Sequence, residues 1–123
     1  MSQLPTGTGA SYVRIGNERF DDERQRESID EWLAAGGLKI EPVHRYEDIG
    51  FNRDTPLETR VGLSKLLAAV RSGKLAWVVV DSRDRFDTTD ETGLPLVTRT
   101  LQEHNCRLVT FERGAERGAE GGA

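Results

Sequence analysis

Four residues of this chain, Arg14, Arg60, Asp84 and Arg85, have side chains of the types that bind and process a phosphate group. A guanidinium group stays protonated at any working pH, and its planar fork of donors matches phosphate oxygens. Such groups also stabilise the charge that develops during phosphoryl transfer. A carboxylate beside them can orient an arginine or handle a proton. The sequence therefore predicts a phosphate site if the fold brings these four residues together.

The elements that would have to position these side chains alternate along the chain. This order predicts an α/β fold of three layers, with a mainly parallel sheet of four or five strands and helices on both faces. The strand order would be flavodoxin-like, and ligands bind at the carboxyl ends of the strands in such sheets. The second strand contains Pro42, which favours an edge position. Apolar periodicity predicts strands at 11–15, 38–46, 75–80 and 106–111, and helices beginning near residues 19, 56 and 94.

The charge of the chain argues against unaided binding to nucleic acid. Seventeen Lys and Arg residues against 21 Asp and Glu residues give a net charge of −4, and there is no basic tract. Proteins that bind DNA unaided usually have a basic face. If this chain acts on DNA, the sequence predicts that a missing domain or a partner chain delivers it.

The length and cysteine content predict the organisation and location of the chain. Its 123 residues suffice for one domain over 11–112, after a flexible lead-in at 1–10 and before a disordered, low-complexity tail at 113–123. One cysteine excludes an internal disulfide and favours the cytoplasm. No apolar run approaches the roughly 20 residues that a membrane helix needs, so no membrane association is predicted.

Three short segments follow one another in a recognisable order. They are Tyr12-Val13-Arg14-Ile15-Gly16, Arg60-Val61-Gly62-Leu63 and Asp84-Arg85-Phe86. They resemble the Tyr-x-Arg-x-Ser, Arg-x-Gly-Leu and Asp-Arg-Leu segments of the N-terminal catalytic domain of resolvase/invertase-type serine recombinases. Gln25 and Asp48 match a glutamine on that family's first helix and an acidic residue after its second strand.

The resemblance implies a resolvase-like fold and a concrete chemistry. In that family a serine hydroxyl attacks the DNA backbone and forms a phosphoserine link, and strands are exchanged within a tetramer in recombination or transposition. Neither metal nor cofactor is required. By resemblance, Arg14, Arg60 and Arg85 would hold the phosphate and Asp84 would be the acidic member. The full-length protein would be a dimer or tetramer.

Two departures from the family pattern concern activity. Gly16 stands where the family has its nucleophilic serine, and Thr88 stands where it usually has a further arginine. Loss of a covalent nucleophile lowers turnover by a factor on the order of 10⁶. The sequence therefore predicts a catalytically impaired copy, a pseudoenzyme, and leaves open whether the chain is an enzyme at all. The alternative is a non-catalytic interaction or oligomerisation module derived from the same fold.

Other interpretations of these residues remain open at this stage. Arg14, Asp84 and Arg85 are also compatible with a surface ion-pair cluster, and Gln25 with a buried polar residue that supports the core. Asp48 and Asp84 are weak evidence for a metal site because they come from separate loops. A flavodoxin or receiver domain is a further alternative, although the residues after the first strand suit neither.

Overall fold

The computed structural model describes residues 4–15, 21–50 and 55–111. Gly16 and the predicted tail at 113–123 lie outside these ranges. Among the described residues, no helix is both long enough and apolar enough to cross a membrane. The strands are β1 (Gly9–Ile15), β2 (Arg45–Ile49), β3 (Trp77–Val80) and β4 (Arg107–Thr110), and the helices are α1 (Asp21–Gly36), α2 (Val61–Arg71) and α3 (Gly93–Glu103).

The four described strands form one parallel sheet in the order β2-β1-β3-β4. β1 is central, and its last residues pair with β2, with Arg14 beside Asp48 in the register. β3 pairs with β1 only along Gly9–Ser11, so β1 extends beyond its neighbour on that side. The predicted α/β class, the parallel sheet and the flavodoxin-like order are confirmed. The described residues form four strands, the lower of the two predicted numbers.

The two faces of the sheet are covered by different helices, which confirms the predicted three layers. Side chains alternate along β1, so Tyr12 joins one core cluster and Val13 joins the other. The first cluster packs against α2 and α3 through residues such as Leu66 and Leu101. The second cluster packs against α1, where Ile29 is 1% exposed. Continuous burial of β3 on both faces agrees with its run of apolar residues.

The second strand differs from the prediction. Residues 38–46 were expected to form it, but β2 begins only at Arg45 because Pro42–His44 forms a 3₁₀ turn. Proline fixes its own φ near −65° and donates no backbone hydrogen bond, which suits a turn and not a strand interior. The strand itself lies at an edge of the sheet, as predicted.

The starts of two further elements differ from the sequence-based boundaries. α2 begins at Val61 and not near Pro56, because Leu57–Thr59 forms a separate 3₁₀ turn. β1 begins at Gly9, two residues earlier than predicted, where a glycine is required by a close approach of the strand to Trp77. A Cβ at residue 9 would lie 2.1 Å from the indole ring.

Candidate functional site

Arg14 ties the end of β1 to the turn that follows β3. The side chain points to the α2 and α3 face of the sheet, as Tyr12 does. Its Nε donates to the Arg85 carbonyl oxygen at 2.9 Å, and its Nη2 donates to the Asp84 carbonyl oxygen at 3.1 Å. The acceptors belong to a 3₁₀ turn, Arg83–Phe86, which begins three residues after β3. Only 8% of Arg14 is exposed, so its charge is held largely away from water.

Arg60 reaches the same turn from the start of α2. It is the residue that immediately precedes the helix, and it is completely buried. Its Nη2 donates to the Asp87 carbonyl oxygen at 2.6 Å, and its Nε donates to the Thr55 carbonyl oxygen at 3.1 Å. Its Nη1 lies 3.4 Å from the Arg85 carbonyl oxygen, the acceptor that Arg14 also uses. Two guanidinium groups from distant parts of the chain therefore converge on one backbone oxygen.

Arg85 supplies the third guanidinium group and is more accessible to solvent than Arg14 or Arg60. It forms a bidentate ion pair with Asp81, four residues earlier, with Nε–Oδ1 at 2.9 Å and Nη2–Oδ2 at 3.0 Å. Each of these two side chains is 19% exposed. Asp84, the predicted acidic member, is an exposed residue and contributes its carbonyl oxygen to the bond from Arg14.

The electrostatics of this arrangement reflect like charges held together. Burial is the main factor that lowers the pKa of Arg14, and the nearby Arg60 guanidinium lowers it further. Arg85 acts in the same direction, whereas Tyr12 and Asp84 oppose the shift. A cluster in which cations disfavour one another's charge gains stability when an anion enters. We call Arg14, Arg60 and Arg85 the arginine cluster.

Gln25 holds the backbone of Arg14. The Arg14 N–H donates to Gln25 Oε1 at 3.3 Å, and Gln25 Nε2 donates to the Arg14 carbonyl oxygen at 3.0 Å. The side chain is 1% exposed, which agrees with the interpretation of Gln25 as a buried polar residue. The amide therefore supplies hydrogen bonds to the Arg14 backbone, which lies beyond the part of β1 that pairs with β3. These bonds fix α1 to the strand residue that carries the Arg14 side chain.

Asp48 is buried at the end of β2 and holds the start of α2. Its Oδ1 accepts from the Gly62 N–H at 2.7 Å, and its Oδ2 accepts from the Leu63 N–H at 2.9 Å and the Tyr12 hydroxyl at 2.8 Å. Burial and the Asp48 carboxylate raise the pKa of Tyr12 well above its ordinary value, so the hydroxyl remains a donor. A Cβ at Gly62 would lie 2.3 Å from the Glu47 carbonyl oxygen, so glycine permits this close approach.

Thr88 has a structural use in this chain. Its Oγ accepts from the Gly93 N–H at 2.9 Å and from the Thr92 N–H at 3.2 Å, at the start of α3. It also donates to Asp90 Oδ1 at 2.6 Å, and this bond is the largest cause that lowers the pKa of Asp90. The hydroxyl thus acts as a helix cap in the position where the resemblance implies an arginine.

Within the described residues, the predicted site holds no metal cluster, and one groove reaches it at Thr88. The described residues contain no group of three or more His, Cys, Asp or Glu side chains placed to hold a metal ion. Asp48, one of the two carboxylates considered as metal ligands, is instead occupied by three hydrogen-bond donors. A groove of about 760 Å³ lies between β2 and α2, and none of the predicted site residues lines it. A groove of about 560 Å³ is lined by Thr88, one of the predicted site residues, together with Leu57 and Asp90.

Comparison with known proteins decides the family. The model of the resolvase N-terminal domain matches residues 9–122, which is nearly the whole chain. The chain belongs to the resolvase N-terminal domain family. No curated protein is similar enough in sequence to count as a match. Because the family model covers nearly the whole chain, the alternative assignments as a flavodoxin or a receiver domain are excluded.

Several solved structures, one of them from a serine recombinase, share the fold of this resolvase-family domain. The C-terminal catalytic domain of ISC1926 TnpA, an IS607-like serine recombinase, superposes with a TM-score of 0.69 at 22% identity over 84% of this chain and 66% of that one. The N-terminal catalytic domain of TP901-1 integrase gives 0.69 at 20% identity over 84% and 75%. The first open reading frame of transposon ISC1904 from Sulfolobus solfataricus P2 gives 0.66 at 21% identity over 85% and 66%. This chain thus spans slightly less than two thirds of two of these structures.

The resolvase-family domain brings together most of the residues that the sequence singled out. Arg14, Arg60 and Arg85 meet at the Arg83–Phe86 turn, whereas Asp48 accepts a hydrogen bond from Tyr12, whose ring stacks on Phe86 of this turn. Sequence reasoning missed Asp81, the carboxylate partner of Arg85. Its spacing of four residues before an arginine was the available signal.

Proposed function

We propose that this resolvase-family domain serves site-specific DNA recombination or transposition, that its arginine cluster binds a backbone phosphate of DNA, and that its own strand cleavage is impaired. The observation that carries the proposal is the convergence of Arg14 and Arg60 on the Arg85 carbonyl oxygen, next to a strand that leads into Gly16.

The arginine cluster supports phosphate binding through charge and through rigidity. Arg14 and Arg60 are fixed by bonds to backbone carbonyls, which neutralise no charge, so they contribute a preorganised positive potential. Arg85 is the more exposed member and is the one we expect to contact a phosphate oxygen directly. Asp84, on the exposed side of the turn, would be the acidic member that the resemblance implies.

Impaired cleavage is inferred from the chemistry of residue 16. Glycine has no side chain and cannot form a phosphoserine link. Ser11, the preceding hydroxyl on β1, is 3% exposed and pairs with both neighbouring strands. The Thr88 hydroxyl is occupied by the cap of α3. Neither hydroxyl is placed to substitute for the missing serine.

The remaining parts of the proposal concern partners and location. The net charge of −4 supports delivery to DNA by a further domain or a partner chain and not by this domain alone. We further propose a dimer or tetramer in the full-length protein, and a cytoplasmic location. Sedimentation of the 123-residue chain, with and without DNA, measures the assembly.

Restoring the nucleophile tests the proposal. The chain is fused to a zinc-finger domain that supplies recognition of a chosen site, and is mixed with DNA that carries two copies of that site. We expect Gly16→Ser to produce a covalent protein–DNA adduct that persists in SDS, and we expect the unaltered chain to produce none. Gly16→Ala is the matched control, because it adds a side chain without a hydroxyl.

The outcome also separates the two candidate functions. An adduct from Gly16→Ser, or from Gly16→Ser with Thr88→Arg, indicates a damaged recombinase. The second variant removes the α3 cap, so its folding has to be checked by circular dichroism. Folded variants that form no adduct favour the non-catalytic interaction module, which is supported by the structural use of Thr88. Cleavage by the unaltered chain would contradict the proposed impairment.

A further inference from the structure

We propose that Asp81 is an internal competitor for the phosphate site, whose carboxylate occupies Arg85 in the unbound domain and is displaced from it when a phosphate binds. The inference rests on the proposed phosphate binding by the arginine cluster. It concerns a residue that lies between the matched segments of the family and that belongs to none of them.

The geometry of the ion pair is that of a bound oxyanion. Asp81 immediately follows the last residue of β3, and its two oxygens accept from Nε and Nη2 of Arg85 at 2.9 and 3.0 Å. Two parallel N–H···O bonds along one edge of a guanidinium group are the arrangement with which arginine also binds phosphate. The Asp81 carboxylate therefore fills the edge of Arg85 that a phosphate would use.

The other two arginines are held differently. Arg14 and Arg60 donate to the carbonyl oxygens of the Arg83–Phe86 turn and of Asp87, and these acceptors carry no net charge. In the Arg85–Asp81 pair, a full negative charge lies in contact with the most accessible guanidinium group of the cluster. This charge repels an incoming phosphate and offsets the attraction of Arg85.

The expected effect is moderate because both side chains are 19% exposed and solvent screens part of their interaction. Removing the Asp81 charge should tighten anion binding by about fivefold, the scale of a partly screened ion pair. The Asn side chain of Asp81→Asn keeps the shape and one oxygen acceptor for Arg85. The Ala side chain of Asp81→Ala keeps neither, so the pair of variants separates charge from orientation.

The experiment is a titration of the full ¹⁵N-labelled chain with inorganic phosphate, followed by NMR. The signals observed are the Arg85 Nε–H group and the backbone amides of the Arg83–Phe86 turn. We expect Asp81→Asn and Asp81→Ala both to bind phosphate more tightly than the unaltered chain. Asp30→Asn is the matched control, since Asp30 pairs with Arg45 at 2.9 Å on α1 and β2 and should change nothing. Adding Arg85→Ala to Asp81→Asn should abolish the gain.

Three other outcomes overturn the inference in distinguishable ways. Equal affinity in Asp81→Asn and the unaltered chain refutes competition and leaves the phosphate site in place. Weaker binding by Asp81→Ala with unchanged binding by Asp81→Asn shows that Asp81 orients Arg85, which also refutes competition. The absence of saturable shifts in every folded variant refutes both the competition and the proposed phosphate binding.

Discussion

The arginine cluster and the buried Asp48 both lie near the carboxyl ends of the strands, and they carry opposite charges. In both places a buried charged group is hydrogen-bonded to neutral partners. Asp48 is an anion that accepts from three neutral donors, and Arg14 and Arg60 are cations that donate to neutral carbonyl acceptors. Buried charges are tolerated when their hydrogen-bonding groups are fully occupied. The difference lies in what surrounds each charge: Asp48 accepts from uncharged donors, whereas Arg14 lies near Arg60 and Arg85, and this grouping of cations favours an anion.

The largest effect on stability is expected from Arg60→Met. The substitution removes a completely buried guanidinium group and its bonds to the partly buried Thr55 and Asp87 carbonyl oxygens, which should lower the free energy of unfolding by about 3 kcal/mol. Urea unfolding measures this loss. Lys65→Met, on the exposed side of α2, is the control and should change stability by less than about 0.5 kcal/mol. Equal stability of the two variants would mean that water replaces Arg60 and that the cluster does not support the fold.

The Asp48 side of the comparison is tested by Asp48→Ala. It removes the acceptor for the Tyr12 hydroxyl and for two N–H groups of α2, which should lower the free energy of unfolding by about 2 to 3 kcal/mol. Asp48→Asn keeps one oxygen acceptor, so we expect a smaller loss in the same urea titration. If both variants match the unaltered chain, the start of α2 does not depend on this carboxylate.

Alkaline pH should lower the free energy of unfolding through the Tyr12 hydroxyl, which donates to Asp48, and not through the arginine cluster. The pKa of Tyr12 is raised in the folded chain, mainly by burial, so above pH 10 the unfolded chain loses this proton and the folded chain keeps it. Stability then falls by about 1.4 kcal/mol for each further pH unit.

The measurement is the difference in unfolding free energy between the unaltered chain and Tyr12→Phe at pH 9, 10 and 11. Burial raises the pKa of Cys106 to about 11, and its contribution cancels because both chains carry it. A difference that stays constant from pH 9 to 11 would show that Tyr12 is not held in its protonated form.

The smallest effect is expected from Thr88→Val, which removes an uncharged polar group beside the arginine cluster. Loss of the bonds to the Gly93 and Thr92 N–H groups should lower the free energy of unfolding by about 1 kcal/mol. Thermal unfolding detects this change. Thr98→Val, within α3, is the control, since the Thr98 hydroxyl donates only to the Leu94 carbonyl oxygen, which the helix already satisfies. Equal losses in the two variants would argue against a capping role for Thr88.

Hydrophobic periodicity predicted the central strands and all three helices but misplaced β2. The residues of β2 look like a polar loop in sequence, with Glu47 and Asp48 among them. They form an edge strand because their charges are satisfied by distant partners: Glu47 by Arg26 of α1 at 2.7 Å, and Asp48 by α2. The start of α2 was misplaced for the same reason, since its cap comes from Asp48 and not from a neighbouring residue.

The candidate site was partly accessible from the sequence. Motif order identified Arg14, Arg60, Asp84 and Arg85, and parallel topology placed them at one edge of the sheet. Their hydrogen-bond partners were not predictable, because most are backbone carbonyls, which carry no sequence signal. The roles assigned to these residues remain predictions, and Gly16 lies outside the described residues.

The contact between Gln25 and Arg14 has a consequence for which substitutions this domain tolerates. A side-chain amide carries a donor and an acceptor together, like a peptide unit, and here it takes the place of a missing strand beside residue 14. Glutamate offers two acceptors, leucine offers none, and asparagine is one methylene shorter. Position 25 should therefore accept few residues other than glutamine, because β3 does not pair with β1 beyond Ser11 and Arg14 depends on this side chain for its backbone hydrogen bonds.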